Sequence, residues 1–101
     1  MDGKQFEDAF TAAGGWFLLT QYAEIADWTG ETGDLVDCMY AKGFDADRSG
    51  SNTRVRAVLR ILREGRGREA LEKVRDSARI NRTHPEAQGL AEALLAIRFE
   101  A

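Results

Sequence analysis

Histidine, cysteine and proline each occur only once among the 101 residues of this chain. A single cysteine cannot form a disulfide within the chain, which favours a reducing compartment, so we expect a cytoplasmic protein. The longest apolar runs, 16–19 and 93–97, fall far short of the ~20 residues that cross a membrane, and the polar start lacks a secretion signal. We therefore predict that the chain contains no membrane segment.

The sequence also lacks the patterns on which catalysis and metal binding usually depend. Cys38 and His84 lie in different predicted helices, and neither belongs to a nucleophile, phosphate-loop or metal-ligand motif. The segment that starts at Asp45 matches the first half of a calcium loop, but Arg56 occupies the position of the required bidentate glutamate. We predict a protein that is not an enzyme and has no cofactor or metal, with Cys38 as a buried, unreactive thiol.

Apolar residues recur at helical spacing along almost the whole chain, and no stretch alternates as a strand does. We predict a single all-α domain over 1–101, a compact bundle of about five to six short helices. Two of these helices, about 53–64 and 68–80, are separated by only a few residues. They are expected to form an antiparallel helical hairpin, about 53–80.

Capping signals predict where the later helices begin. Ser51 or Asn52 is the expected N-cap of the fourth helix, which makes 44–52 the longest loop. The run Thr83–Glu86 has the form of a capping box with proline in the first turn, and it predicts the start of the last helix. The apolar side of that last helix is predicted to consist of Leu90, Leu94, Ile97 and Ala101.

Positive charge is concentrated in one central block of the chain. Residues 1–47 contain ten acidic residues and two lysines, whereas 48–82 contain eleven basic residues, ten of them arginine, and four acidic ones. The net charge of −3 therefore conceals an acidic first half and a basic centre. Such segregation indicates a face that binds phosphates or carboxylates, and the excess of arginine over lysine favours planar, bidentate contacts.

The predicted fourth helix carries the clearest pattern. Three arginines, Arg56, Arg60 and Arg63, lie within about 60° of one another, opposite an apolar arc of about 100°. Arg56 and Arg60 repel each other at their four-residue spacing, and the acid four residues after Arg60, Glu64, lies beyond the face itself. Two explanations remain open: an external acidic partner, or bridges from the arginines to the acids of the first half. The apolar arc consists of Val55, Val58, Leu59 and Leu62.

Further residues extend this candidate surface. Arg66 and Arg68 flank the turn after this helix and extend the basic surface, and the amides of 49–52 near Arg48 and Arg54 form a candidate anion site. In the second predicted helix, Phe17 and Trp28 project away from an ordinary core face. A helix that is apolar on two sides is either centrally buried or half of an interface, so both readings are kept for these two aromatic residues.

Two functional hypotheses follow. The first is a small non-enzymatic protein-binding module, an adaptor or stoichiometric inhibitor, that acts through its arginine-rich helix face. The acidic or aromatic surface of the N-terminal half would contribute to the same role. The alternative is a nucleic-acid or nucleoprotein-binding protein that contacts phosphates through the Arg48–Arg82 block. The predicted partner-binding residues are Arg48, Arg54, Arg56, Arg60, Arg63, Arg66, Phe17 and Trp28.

Overall fold

The computed structural model describes residues 1–99, and within this range the chain forms seven α-helices and no strand. The all-α prediction is therefore confirmed, with one helix more than the expected maximum. The helices are α1 (Gly3–Ala13), α2 (Gly15–Ala26), α3 (Thr32–Ala41), α4 (Arg48–Arg63), α5 (Gly67–Asp76), α6 (Ala78–Thr83) and α7 (Ala87–Phe99).

Helix α2 is the central element, because it contacts α1, α4, α5 and α7. Phe17 lies on a different side of this helix from Leu18 and Tyr22, yet each of the three is at most 3% exposed. This burial explains why α2 is apolar on two sides, and it confirms the reading of a centrally buried helix. The surrounding helices pack in two groups, with α1 and α3 on α4, and α5 on α7.

The connection between α4 and α5 is short, and Gly65 within it adopts a φ of +71°. The two helices nevertheless have few contacts with each other, since each packs chiefly on other partners. The predicted hairpin, about 53–80, is thus not the principal packing unit of the bundle. The short loop predicted that the two helices pack on each other. Their apolar faces instead pack mainly on other helices.

Helix α4 begins earlier than the capping residues predicted. Asp47 is its N-cap, and Asp47 Oδ1 accepts hydrogen bonds from the Gly50 amide at 3.0 Å and the Ser49 hydroxyl at 2.6 Å. The prediction of Ser51 or Asn52 as the cap was therefore wrong. Ser51 is instead fully buried inside the helix, where its hydroxyl donates to Asp45 Oδ2 at 3.1 Å.

The predicted fifth helix is divided at Ser77 into α5 and α6. Ser77 has an extended ψ of 111°, and its hydroxyl accepts from the Ile80 amide at 3.2 Å, which caps α6. The capping box predicted at Thr83–Glu86 does not form, because Thr83 ends α6 and donates to the Arg79 carbonyl at 3.2 Å. The extra helix in the fold arises from this division.

The last helix, α7, turns a different side to the core from the one predicted. Its buried residues are Ala87, Ala91 and Leu95, whereas Leu90 is 44% and Ile97 79% exposed. Of the described part of the predicted apolar side only Leu94 packs against the core, where it is partly buried beside Leu95, whereas Leu90 and Ile97 point outward. Ala101, the last residue of the predicted apolar side, lies outside the described residues.

Candidate binding surfaces

Arg56, Arg60 and Arg63 form one solvent-exposed surface on α4, here called the arginine face. Within residues 1–99 none of the three has an acidic ion-pair partner. In the described part of the chain the only side-chain bond of this face runs from Arg56 Nε to Asn52 Oδ1, at 2.8 Å, and a neutral amide oxygen does not offset the charge. The structure therefore brings these three predicted residues together.

Part of this arrangement has a local structural reason. Arg60 and Arg63 lie in the last turn of α4, where the partial negative charge of the helix end favours cations. Helix α4 contains no acidic residue, so its own side chains provide no further compensation. Arg56 lies a turn earlier, outside the range of this end effect, and its position on the face has no such explanation.

The other three predicted arginines are committed to contacts within the chain. Arg48 pairs with Asp37 of α3, and Arg54 pairs with Asp45 at 2.9 Å. Arg66 binds both oxygens of Glu69, at about 3.1 Å in each case, and donates to the Met1 carbonyl at 3.1 Å. Arg48 and Arg54 thus form the ion pairs between the basic block and the acidic first half that one of the two explanations expected.

Four cationic side chains that pair with acids of the same chain also cover aromatic rings at the edge of the core. The guanidinium carbon of Arg54 lies 5.8 Å from the centre of the Phe17 ring, and that of Arg66 lies 4.8 Å from the Phe6 ring. Lys73 and Arg98 cover Phe10 and Tyr22 in the same way. Cations in this position stabilise the fold by shielding apolar surface, so their main role is internal.

The two aromatic residues predicted to bind a partner, Phe17 and Trp28, differ in their exposure to solvent. Phe17 is only 2% exposed and meets Phe44 edge to face, with ring centres 5.1 Å apart, so its assignment to a free partner-binding surface was wrong. Trp28 is half-buried at the end of α2, and its indole N–H donates to the Glu31 carbonyl at 3.0 Å. Phe17 thus belongs to the core, while part of Trp28 remains accessible.

The acidic loop before α4 uses its carboxylates internally. Asp45 accepts from Arg54 and Ser51, and Asp47 caps the helix at the Gly50 amide. The candidate anion site at residues 49–52 is thus filled by the chain's own Asp47 carboxylate, which corrects that prediction. Among residues 1–99 there is also no group of three or more His, Cys, Asp or Glu side chains that could hold a metal ion.

Cys38 is half-buried, and its Sγ donates to Glu24 Oε2 at 3.4 Å. Burial raises the pKa of the Cys38 thiol, and the hydrogen bond to the Glu24 carboxylate raises it further. A raised pKa lowers the fraction of the nucleophilic thiolate at neutral pH. The predicted burial of Cys38 is thus only partial, and its low reactivity stays a prediction.

A cleft of about 410 Å³ lies between the α1–α2 junction and α6, and sequence reasoning did not find it. At its rim the rings of Trp16 and His84 stack, with centroids 3.7 Å apart and planes 2° apart. His84 was expected in the first turn of the last helix but instead lies in the connection between α6 and α7. Trp16 and His84 are 68 positions apart in the sequence, so no local pattern signals their contact.

A comparison with protein-family models, curated proteins and solved structures gives no significant match. Within the described residues, no helix combines the length and the apolar character needed to cross a membrane.

Proposed function

We propose that this protein is a small non-enzymatic binding module, an adaptor or stoichiometric inhibitor, whose arginine face docks on an acidic surface of a partner protein. The observation that carries the proposal is the exposure of Arg56, Arg60 and Arg63 without acidic partners in residues 1–99. Three guanidinium groups on one rigid helix favour bidentate contacts with carboxylates.

The contrast with the rest of the basic block supports this assignment. Five of its ten arginines pair with acids of the same chain, namely Arg48, Arg54, Arg66, Arg68 and Arg75. Binding of an acidic partner would offset the repulsion among the three arginines, so this repulsion favours complex formation over the free protein. Trp28, two residues after the end of α2, is half-buried and provides a further accessible aromatic surface.

Nucleic-acid binding is the weaker candidate. Internal pairing of half the block leaves a short basic surface, whereas a nucleic-acid binder generally presents a larger basic area. The remaining unpaired cations of the block within residues 1–99, Arg79 and Arg82, belong to the separate helix α6. The acidic first half would also repel a duplex from its own side.

The test compares three forms of the protein in affinity capture from lysate of the native cell, with and without nuclease treatment. The face variant carries Arg56→Gln, Arg60→Gln and Arg63→Gln. The control variant carries Lys4→Gln, Arg68→Gln and Arg82→Gln, which remove the same charge from exposed positions elsewhere. We expect the wild type and the control to retain the same partner protein and the face variant to lose it.

The loss should correspond to roughly 1.5–3 kcal/mol for each charge-assisted contact, less where water enters the interface. The face variant should keep the melting temperature of the wild type, since glutamine preserves helix propensity and the arginines lie outside the core. Unchanged partner affinity in a folded face variant would contradict the proposal. Capture that disappears with nuclease, together with salt-sensitive retention on immobilised DNA, would support the nucleic-acid alternative.

A further inference from the structure

The cleft beside α6 combines apolar walls with uncompensated positive charge. Among the residues that line it are Phe10, Phe17, Phe44 and Ile80, which form an apolar surface. Within residues 1–99 no acidic side chain lines it, although this chain is acidic overall. Its volume of about 410 Å³ lies within the range of about 300–1,000 Å³ that is usual for small-ligand sites.

Two arginines contribute to the lining in different ways. Arg54 is held by Asp45 and by the Ala13 carbonyl, so it is fixed in place but largely neutralised. Arg79, by contrast, is exposed, and its side chain has no ion-pair or hydrogen-bond partner in the described part of the chain. A free guanidinium at the edge of an apolar cleft offers two parallel N–H donors to an oxyanion.

The stacked pair of Trp16 and His84 gives the cleft a rigid edge. Their parallel rings bring the start of α2 against the α6–α7 connection, and both residues are half-buried. Gly15 also allows the start of α2 to lie close to α6, because a Cβ at this position would collide with Ile80 Cδ1. The cleft is therefore bounded by residues whose positions are fixed by packing.

We propose that this cleft binds an organic carboxylate with an apolar or aromatic body. Arg79 receives the carboxylate, and the apolar side of the cleft receives the apolar body, chiefly through the half-buried Phe44 and Ile80, behind which Phe10 and Phe17 are packed. Such a group occurs both in free aromatic acids and at the C-terminus of a peptide that ends in an apolar residue. This site is separate from the arginine face, and the inference stands independently of the proposed function.

The experiment is an NMR titration of the ¹⁵N-labelled full chain with 3-phenylpropionate. We expect saturable shifts at the amides of Gly14, Gly15 and Trp16 and at the Trp16 indole N–H, with a Kd of about 1 mM or tighter for so small a probe. Arg79→Gln should weaken binding by about tenfold or more. Arg82→Gln, which removes an exposed charge from the same helix outside the cleft lining, should change it less than about twofold.

Two further probes examine the required chemistry. 3-Phenylpropionamide retains the ring but lacks the charge, and inorganic phosphate retains an oxyanion but lacks the ring; both should bind at least about tenfold more weakly. A peptide, acetyl-Ala-Ala-Phe with a free carboxyl end, distinguishes the sources. Tighter binding than that of 3-phenylpropionate assigns the site to peptide ends, and weaker binding assigns it to free acids.

The proposal is overturned if 3-phenylpropionate causes no saturable shifts in the cleft. It is also overturned if Arg79→Gln and Arg82→Gln bind the probe equally well, or if the amide binds as tightly as the acid. Because Arg79 is exposed, its replacement should leave the amide spectrum of the free protein otherwise unchanged, which verifies that the variant is folded.

Discussion

Arg54 on α4 binds Asp45, with Nε 2.9 Å from Oδ1, and the same guanidinium donates from Nη1 to the Ala13 carbonyl at 2.8 Å. One side chain thus connects the loop before α4 to the carboxyl end of α1. Gly14 follows directly with a φ of +81°, and a Cβ there would collide with Arg54 Nη1. This arginine is therefore a structural element of the α1–α2 junction, although it belongs to the same charged block as the arginine face.

Replacing Arg54 with Gln should lower the free energy of unfolding by about 2 kcal/mol. Two charge-assisted hydrogen bonds are lost, and the largely buried Asp45 carboxylate loses its cation. Arg56→Gln, two residues along the same helix, removes an exposed charge and should change stability by less than about 0.5 kcal/mol. Urea unfolding of both variants measures the difference, and equal stability of the two would contradict the structural role of Arg54.

The sequence predicted the parts of the fold that depend on local periodicity. The regular spacing of Val55, Val58 and Leu59 was sufficient to place Arg56 and Arg60 on the opposite, exposed side of α4. It could not separate Arg54 from Arg56, because one of the two partners of Arg54 is the carbonyl of Ala13, 41 positions away. Pairing between distant positions depends on the packing of helices, which local patterns do not encode.

Helix starts were harder to predict for a related reason. Residues 45–52 contain two aspartates, two serines and an asparagine, and all five are favourable N-cap types. The choice of Asp47 depends on Ser51, which is buried and bonded to Asp45 and therefore lies inside the helix. Likewise, the side of α7 that faces the core consists of Ala87, Ala91 and Leu95, and the spacing of its leucines alone did not indicate that the two alanines belong to it.

The orientation of α7 gives a second prediction. Leu95 is 4% exposed and Ile97 is 79% exposed, although the two are separated by a single residue. Leu95→Ala should therefore lower the free energy of unfolding by about 2–5 kcal/mol, whereas Ile97→Ala should change it by less than about 0.5 kcal/mol. Chemical denaturation of both variants tests this, and a comparable loss in Ile97→Ala would place the predicted apolar side back in the core.

The third prediction concerns the pH dependence of Cys38 alkylation. Burial and the hydrogen bond to Glu24 raise the pKa of the thiol, so iodoacetamide at pH 8 should modify the native protein more slowly than the urea-denatured chain. The rate should reach its plateau at a higher pH in the native state. Glu24→Gln removes the carboxylate beside Sγ, so the thiolate forms at lower pH and alkylation accelerates. Glu86→Gln, which removes an exposed acid in the connection between α6 and α7, should leave the rate unchanged. A native rate equal to that of the denatured chain would contradict this account of the thiol.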